Sequence, residues 1–433
     1  MMKKSISKYF QKRFSGMKFL LLLLPLWGMG GYSQTLDTYL EIAVKNNPKL
    51  KSSYAQFEAA MRNSPQVSSL PDPTLTMSGL GRMIETRVGA QEARFNLMQM
   101  FPWFGTLEAK ENAANLMAEA KFQKYLDLKN QLIYDVKSVY AELYTISETI
   151  QIKEENLEIL ESYRELSLSR FKSGDGAMVN VVKVDIDKDA AITEIELMNE
   201  MLIPVSTKFN LLLNRDLQET IFVQDTLKLS GLPMEINSED NLESHPLLKA
   251  IEKEKASYIA EQTVAEKQGM PNIGIGVDYS IISKRTDASP EGNGQDAIMP
   301  MVSISLPIFR KKYKASREQA EFLVSSSISE REAMRNELQS MLAMTIYEYH
   351  KSEKLIQLYN KQLLSSGQAN KLYISAFSNA TGDFEEVLRM NQDILLLKTQ
   401  KIEAIKNGFI AGAKLDYLFS GDVNSNSKIN KTP

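Results

Sequence analysis

The chain has 433 residues, with 51 basic and 54 acidic side chains, a net charge of −3, no cysteine and two histidines. Without cysteine there are no disulfides, thiolate metal sites or thiol nucleophiles, and His245 and His350 alone do not furnish a histidine metal cluster or a Ser–His triad. The near-even charge offers no basic footprint for nucleic acid, and a hydrophobic share of 43% is too high for a disordered chain, so the composition leans away from enzymes and toward a folded, non-catalytic role.

Residues 1–33 carry Lys3, Lys4, Lys8, Lys12, Arg13 and Lys18 and no acid, followed by the apolar run Phe19 to Trp27 and a small-residue stretch in which Gly31 and Ser33 flank Tyr32. This is the pattern of a cleaved signal peptide, with translation starting at Met1 or Met17. Its removal takes six positive charges and leaves 45 basic against 54 acidic side chains. No cysteine follows the expected cleavage site to take an N-terminal lipid. No later apolar stretch approaches the roughly 18 residues of a transmembrane helix. An exported chain of this kind enters a membrane only as a β-barrel.

The remainder reads as one unit written twice, residues 34–230 and 231–420, before a polar C-terminal tail at 421–433. Asn47-Pro48 is echoed by His245-Pro246, and Pro73 by Pro271, both 198 residues later. Phe101-Pro102-Trp103-Phe104 matches Leu306-Pro307-Ile308-Phe309, and Phe171 and Gly176 match Phe377 and Gly382. Each half opens with a helical pattern, the first from about 36 to 63, where Leu36, Tyr39, Leu40, Ala43 and Val44 recur at spacings of three and four. Alternating stretches follow, giving a β-hairpin at about 73–101 and another at about 271–307. Alternation is clearest where Ile273, Ile275, Val277, Tyr279 and Ile281 interleave with Gly274, Gly276, Asp278 and Ser280. Strands of about 10 residues suit a tilted transmembrane strand. Proline-free helical stretches at about 106–170 and 311–376 come next, each roughly 100 Å long. They end at the turns KSGDG (172–176) and SNATGD (378–383), from which helices at about 178–214 and 384–418 return. The first and third helices of a half together match the long one, so they are expected to stack end to end beside it.

Four strands do not close a barrel, and open edges in lipid leave backbone groups unpaired, so several chains must contribute. The mixed charge of the long helices, as in Lys153-Glu154-Glu155, fits them to water. A shared barrel with a soluble helical extension is a conduit. The other reading of the same pattern is a soluble periplasmic coiled-coil scaffold with a small sheet.

The twofold helix–strand–strand–helix–helix order, the F/L-P-x-F landmarks and the turn RFKSGDGAMVNVVKVD resemble the TolC family of outer-membrane efflux channels, over about 36–420. The resemblance implies a mainly α chain with a membrane β-hairpin pair, forming a homotrimer. Its 12-stranded outer-membrane β-barrel, four strands per chain, is continuous with a long α-helical periplasmic tunnel. It also implies a passive exit duct, without enzymatic activity or cofactor, working with a periplasmic adaptor protein and an inner-membrane pump. Outer-membrane lipid is the remaining partner, and nucleic acid is not one.

By the same resemblance, the turns holding Gly174, Gly176 and Gly382 form the periplasmic tip. The positions of the family's acidic constricting pair, just after the second turn, would fall to Glu386 and Arg389, with Asp383 and Glu385 beside them. Three chains would make these acids a ring that attracts cations; acids in a first helical turn also simply favour the positive dipole end. The position of the family's arginine latch is Gly382 here, which puts that lock in doubt. Met77, Met83, Met98 and Met100 crowd the first hairpin, where soft thioethers suit copper or silver cations but methionine is also a flexible apolar filler. With LPDPTLTMSG and QMFPWFGTLEAK they resemble the metal-cation branch of the family, so the cargo is either metal cations or small organic compounds. No resident metal site is expected, and His245 reads as a helix cap.

Overall fold

The computed structural model describes residues 35–223, 225–229, 240–379 and 381–419, and of residues 80–83, 240 and 241 the backbone alone. The signal peptide at 1–33, the tail at 421–433 and the boundary at 230/231 lie outside the described residues, as does the side chain of Met83.

Each half begins with a capped helix. The first helical pattern is two helices, α1 (Leu36–Asn46) and α2 (Pro48–Ser68), rather than one. Asn47 leaves helical geometry because proline follows it, and its Oδ1 accepts from the Leu50 amide at 3.1 Å. In the second half a single turn, α5 (Asp240–Glu243), precedes α6 (Pro246–Gln268), where His245 Nδ1 accepts from the Leu247 amide at 3.3 Å. Asn47 and His245 thus do the same work 198 residues apart.

Two hairpins follow, β1 (Thr74–Thr86) with β2 (Gly89–Phe101), and β3 (Ile273–Ile282) with β4 (Ala297–Ile304). They join into one antiparallel sheet in the order β1-β2-β3-β4, so the central pairing links the two halves. Phe101 lies opposite Ile273 and Arg94 opposite Ser280. Each first-hairpin strand has 13 residues, longer than the roughly 10 expected, and a register shift between Gly79 and Ile84 breaks the period within β1.

The long helices α3 (Thr106–Lys172, 67 residues) and α7 (Lys311–Ser378, 68 residues) come after the hairpins. At 1.5 Å per residue each runs about 100 Å. The return helices are α4 (Met178–Leu213) and α8 (Phe384–Leu418). The α1/α2 junction meets the end of α4, where Asn47 Nδ2 donates to the Leu212 carbonyl at 3.0 Å. The two therefore follow one another end to end beside α3.

Helix α3 is the hub. Its buried Leu132, Val136, Val139, Tyr140 and Leu143 recur at three and four, and pack with Tyr39, Leu40, Phe209 and Leu213. Tyr39 meets Phe209 edge-on at 5.1 Å. Where α3 approaches α6 the buried residues are small, and Ser257 Oγ donates to the Ala113 carbonyl at 2.8 Å. Charged pairs, among them Lys124–Glu254 and Arg164–Asp185, fix the register of neighbours while contributing little stability at the surface. Among the described residues no helix is long and apolar enough to cross a membrane.

Candidate channel-lining face and helical tip

The sheet has two chemically distinct faces. One carries Leu75, Met77, Leu97, Ile275, Val277, Ile298, Val302 and Ile304, all exposed, with Val302 at 74% and Met77 at 68%. A soluble monomer rarely presents so continuous an apolar surface. The opposite face is polar. There Arg94 Nε donates to Asp278 Oδ2 at 2.7 Å, Asn96 Nδ2 donates to the same oxygen at 3.3 Å, and Gln91 Nε2 donates to Ser280 Oγ at 2.8 Å. Asp278 is fully buried beneath these partners. The pleat sorts these residues, since period two sends neighbours to opposite sides. Strands β1 and β4 each have one partner only, leaving two open edges.

Met77 sits on the apolar face, whereas Met98 and Met100 belong to the polar one and are joined there by Met301 from β4. That third methionine was not legible beforehand, because its nearness depends on register across β3.

At the far end of the long helices, α3 stops in a turn where Gly174 has φ +81° and the Asp175 amide reaches back to the Arg170 carbonyl at 3.0 Å. Left-handed backbone of this kind favours glycine. Gly176 and Gly382 serve close approach instead. A Cβ on Gly176 would stand 3.2 Å from the Phe171 amide nitrogen, and one on Gly382 would stand 3.0 Å from that of Phe377. The two tips are tied together by Arg170, whose Nη1 donates to the Phe377 carbonyl and whose guanidinium lies 4.8 Å over the Phe377 ring. Phe377, Phe384, Tyr163, Val184 and Val387 form the small core beneath.

All three candidate constriction acids lie at the second tip turn, and each has a partner. Asp383 Oδ1 accepts from the Glu385 amide at 3.0 Å and so caps α8. Glu385 pairs with Lys183 of α4 at 2.5 Å, and that hydrogen bond raises the lysine's pKa. Glu386 pairs with Arg389. Three acids and two bases leave one net negative charge in this group per chain.

A second polar cluster is buried midway. Tyr417 Oη donates to Asp127 Oδ1 at 2.9 Å, and Lys414 Nζ lies 4.4 Å over the Tyr417 ring. Burial pushes the Asp127 carboxyl up and the Lys414 ammonium down. His245, fully buried against Tyr417, is lowered to about 4 by desolvation and by Lys414 and Lys249. Among the described residues no group of three His, Asp or Glu side chains is arranged to hold a metal.

Residues 237–382 match the family described as outer membrane efflux protein. No curated protein sequence matches the chain. Among solved structures it is similar to the outer-membrane channel OprN, at 18% identity and a TM-score of 0.73 over 89% of this chain and 90% of that one. CusC, whose structures concern folding and transmembrane channel formation, aligns at 16% identity and 0.75 over 89% and 91%. VceC of Vibrio cholerae, an outer membrane protein, aligns at 15% identity and 0.71 over 89% and 95%. The shared fold is that of outer-membrane channels, mainly helical with a small antiparallel sheet. The efflux-protein match within the second half and this fold across nearly the whole described length make the chain similar in architecture to outer-membrane efflux channels of the TolC type.

Proposed function

We propose that three copies close into a 12-stranded barrel in the outer membrane and serve as the exit duct of a tripartite efflux system. The observation that carries this reading is the four-stranded sheet with an apolar face, a polar face and two open edges. In lipid each unpaired backbone group costs several kcal/mol, so β4 of one chain pairs with β1 of the next until the ring closes. The helices support the same closure. Met178, Val182, Ile186 and Ile203 on α4, with Phe322, Met344, Leu364 and Leu372 on α7, are exposed apolar residues in the single chain.

The signal peptide is cleaved on export, the tip turns face a periplasmic adaptor, and an inner-membrane pump supplies the cargo. That cargo is a small solute, either a metal cation or an organic compound. Asp383, Glu385 and Glu386, once threefold repeated, form the narrow entrance.

The chain's lack of cysteine makes the test direct. Met77→Cys on β1 combined with single cysteines along 298–304 of β4 should yield oxidation-dependent trimers in outer-membrane fractions. Recovery as a monomer in the soluble periplasmic fraction would overturn the duct and favour the scaffold.

A further inference from the structure

Strand β3 carries Gly274 and Gly276 on the polar face, and no side chain of its own fills the space above them. The four residues beside these glycines come from the two neighbouring strands. Gly276 has Met98 on β2 and Met301 on β4 as its partners, and Gly274 has Met100 and Ser303. A Cβ built on Gly274 would stand 2.6 Å from Met100 Sδ and 3.0 Å from Met98 Sδ, so the atoms overhanging this glycine include both sulfurs. Ser303 Oγ lies 3.7 Å from each of those sulfurs, and Met301 Sδ lies 3.0 Å from Asn96 Nδ2. The three methionines are half-buried, and therefore reachable from the polar side.

We infer that Met98, Met100 and Met301 form a thioether niche over Gly274 and Gly276 that binds a soft monovalent cation, Cu(I) or Ag(I). Thioethers are neutral, polarizable donors that select such ions over hard ones. The nearby carboxylate, Asp278, is held by Arg94 and Asn96 on this same face, so the niche lacks the free negative charge that a divalent ion needs. Methionine as mere cover for glycine would need only bulk, which leucine supplies equally well. That difference separates the two roles. The binding requires only one chain's sheet; its meaning for transport rests on the duct reading.

The test uses the purified full chain in detergent, titrated with Ag(I) by calorimetry, with metal counted after gel filtration. The expected result is one tightly held Ag(I) per chain, with Ca(II) and Mg(II) failing to compete. M98L/M100L/M301L should weaken Ag(I) binding at least tenfold with secondary structure and oligomeric state unchanged, and M301L alone should weaken it measurably if the triple variant does not fold. M77L, altered on the apolar face, should bind as the parent does. Absence of stoichiometric Ag(I) in the parent, or undiminished binding in the variants, overturns the niche. Bilayer conductance separates this from the duct reading. Binding without conductance would sink the duct alone, and conductance without binding would sink the niche alone.

Discussion

Arg170, at the end of α3, donates to the main-chain carbonyl of Phe377 at the end of α7 while lying over that residue's ring. One side chain thereby holds both tip turns, since its Nη2 also reaches the Asp175 carbonyl at 3.0 Å. Arg170→Ala should free the two turns from one another, at a cost of about 1–3 kcal/mol confined to the tip. Hydrogen exchange should accelerate across 172–178 and 378–384 and stay unchanged near Tyr140. Uniform protection throughout would show that the small aromatic core holds the tip unaided.

The candidate constriction acids lead to a sharper expectation than loss of selectivity. Replacing Asp383, Glu385 and Glu386 with their amides strands Lys183 and Arg389 without partners. The local group goes from one net negative charge per chain to two positive. Reversal potentials across a salt gradient should therefore shift from cation toward anion preference, an effect that shrinks as salt screens it. Unchanged potentials would leave these acids as helix openers. Asp383→Asn alone should preserve the cap, because asparagine caps as well as aspartate.

His245 sets a pH dependence. Its folded pKa of about 4 lies below the ordinary 6.5, so the fold favours the neutral ring. The associated stability is complete above about pH 6.5 and is lost as pH falls toward 4, with about 2 kcal/mol gone by pH 5. His245→Asn keeps a capping acceptor and removes the titration. The unfolding midpoint of the parent should fall more steeply than the variant's between pH 7 and 5, and parallel curves would contradict the burial argument.

The matching cap in the first half gives a companion test. Asn47→Ala removes the acceptor for the Leu50 amide and the donor to the Leu212 carbonyl. About 1–2 kcal/mol should be lost, read as a lower denaturation midpoint, with most of it in the α1, α2 and α4 neighbourhood. An unchanged midpoint would mean that water replaces both bonds.

Much of the fold is legible in local pattern. Ile273 to Ile281 alternates cleanly, and the proline-free stretches give α3 and α7 within a few residues of their observed ends. The break at Asn47 was harder to read because the apolar spacing runs straight through it, and only the following proline marks the cap. What local pattern does not hold is pairing at long range. Lys183 meets Glu385 across 202 residues, and Met301 reaches Asn96 across 205. Both depend on how the two halves dock, which no window of sequence contains. The candidate acids and the local partners of Asp383 and Glu386 lie within one turn of helix, whereas Lys183, the partner of Glu385, does not.

The seam between β2 and β3 imposes an order of events on the growing chain. Phe101 and Ile273 are neighbours in the sheet, yet 171 residues separate them, including all of α3 and α4. Before the second half is made, the first hairpin is a lone two-stranded ribbon, too small to be stable by itself. It must wait, with Leu75 and Leu97 bare, until Ile282 has followed. The first half of the molecule therefore spends longest with apolar strand residues uncovered. A chain ended after α6 should be cleared by proteases as a hairpin without its mate.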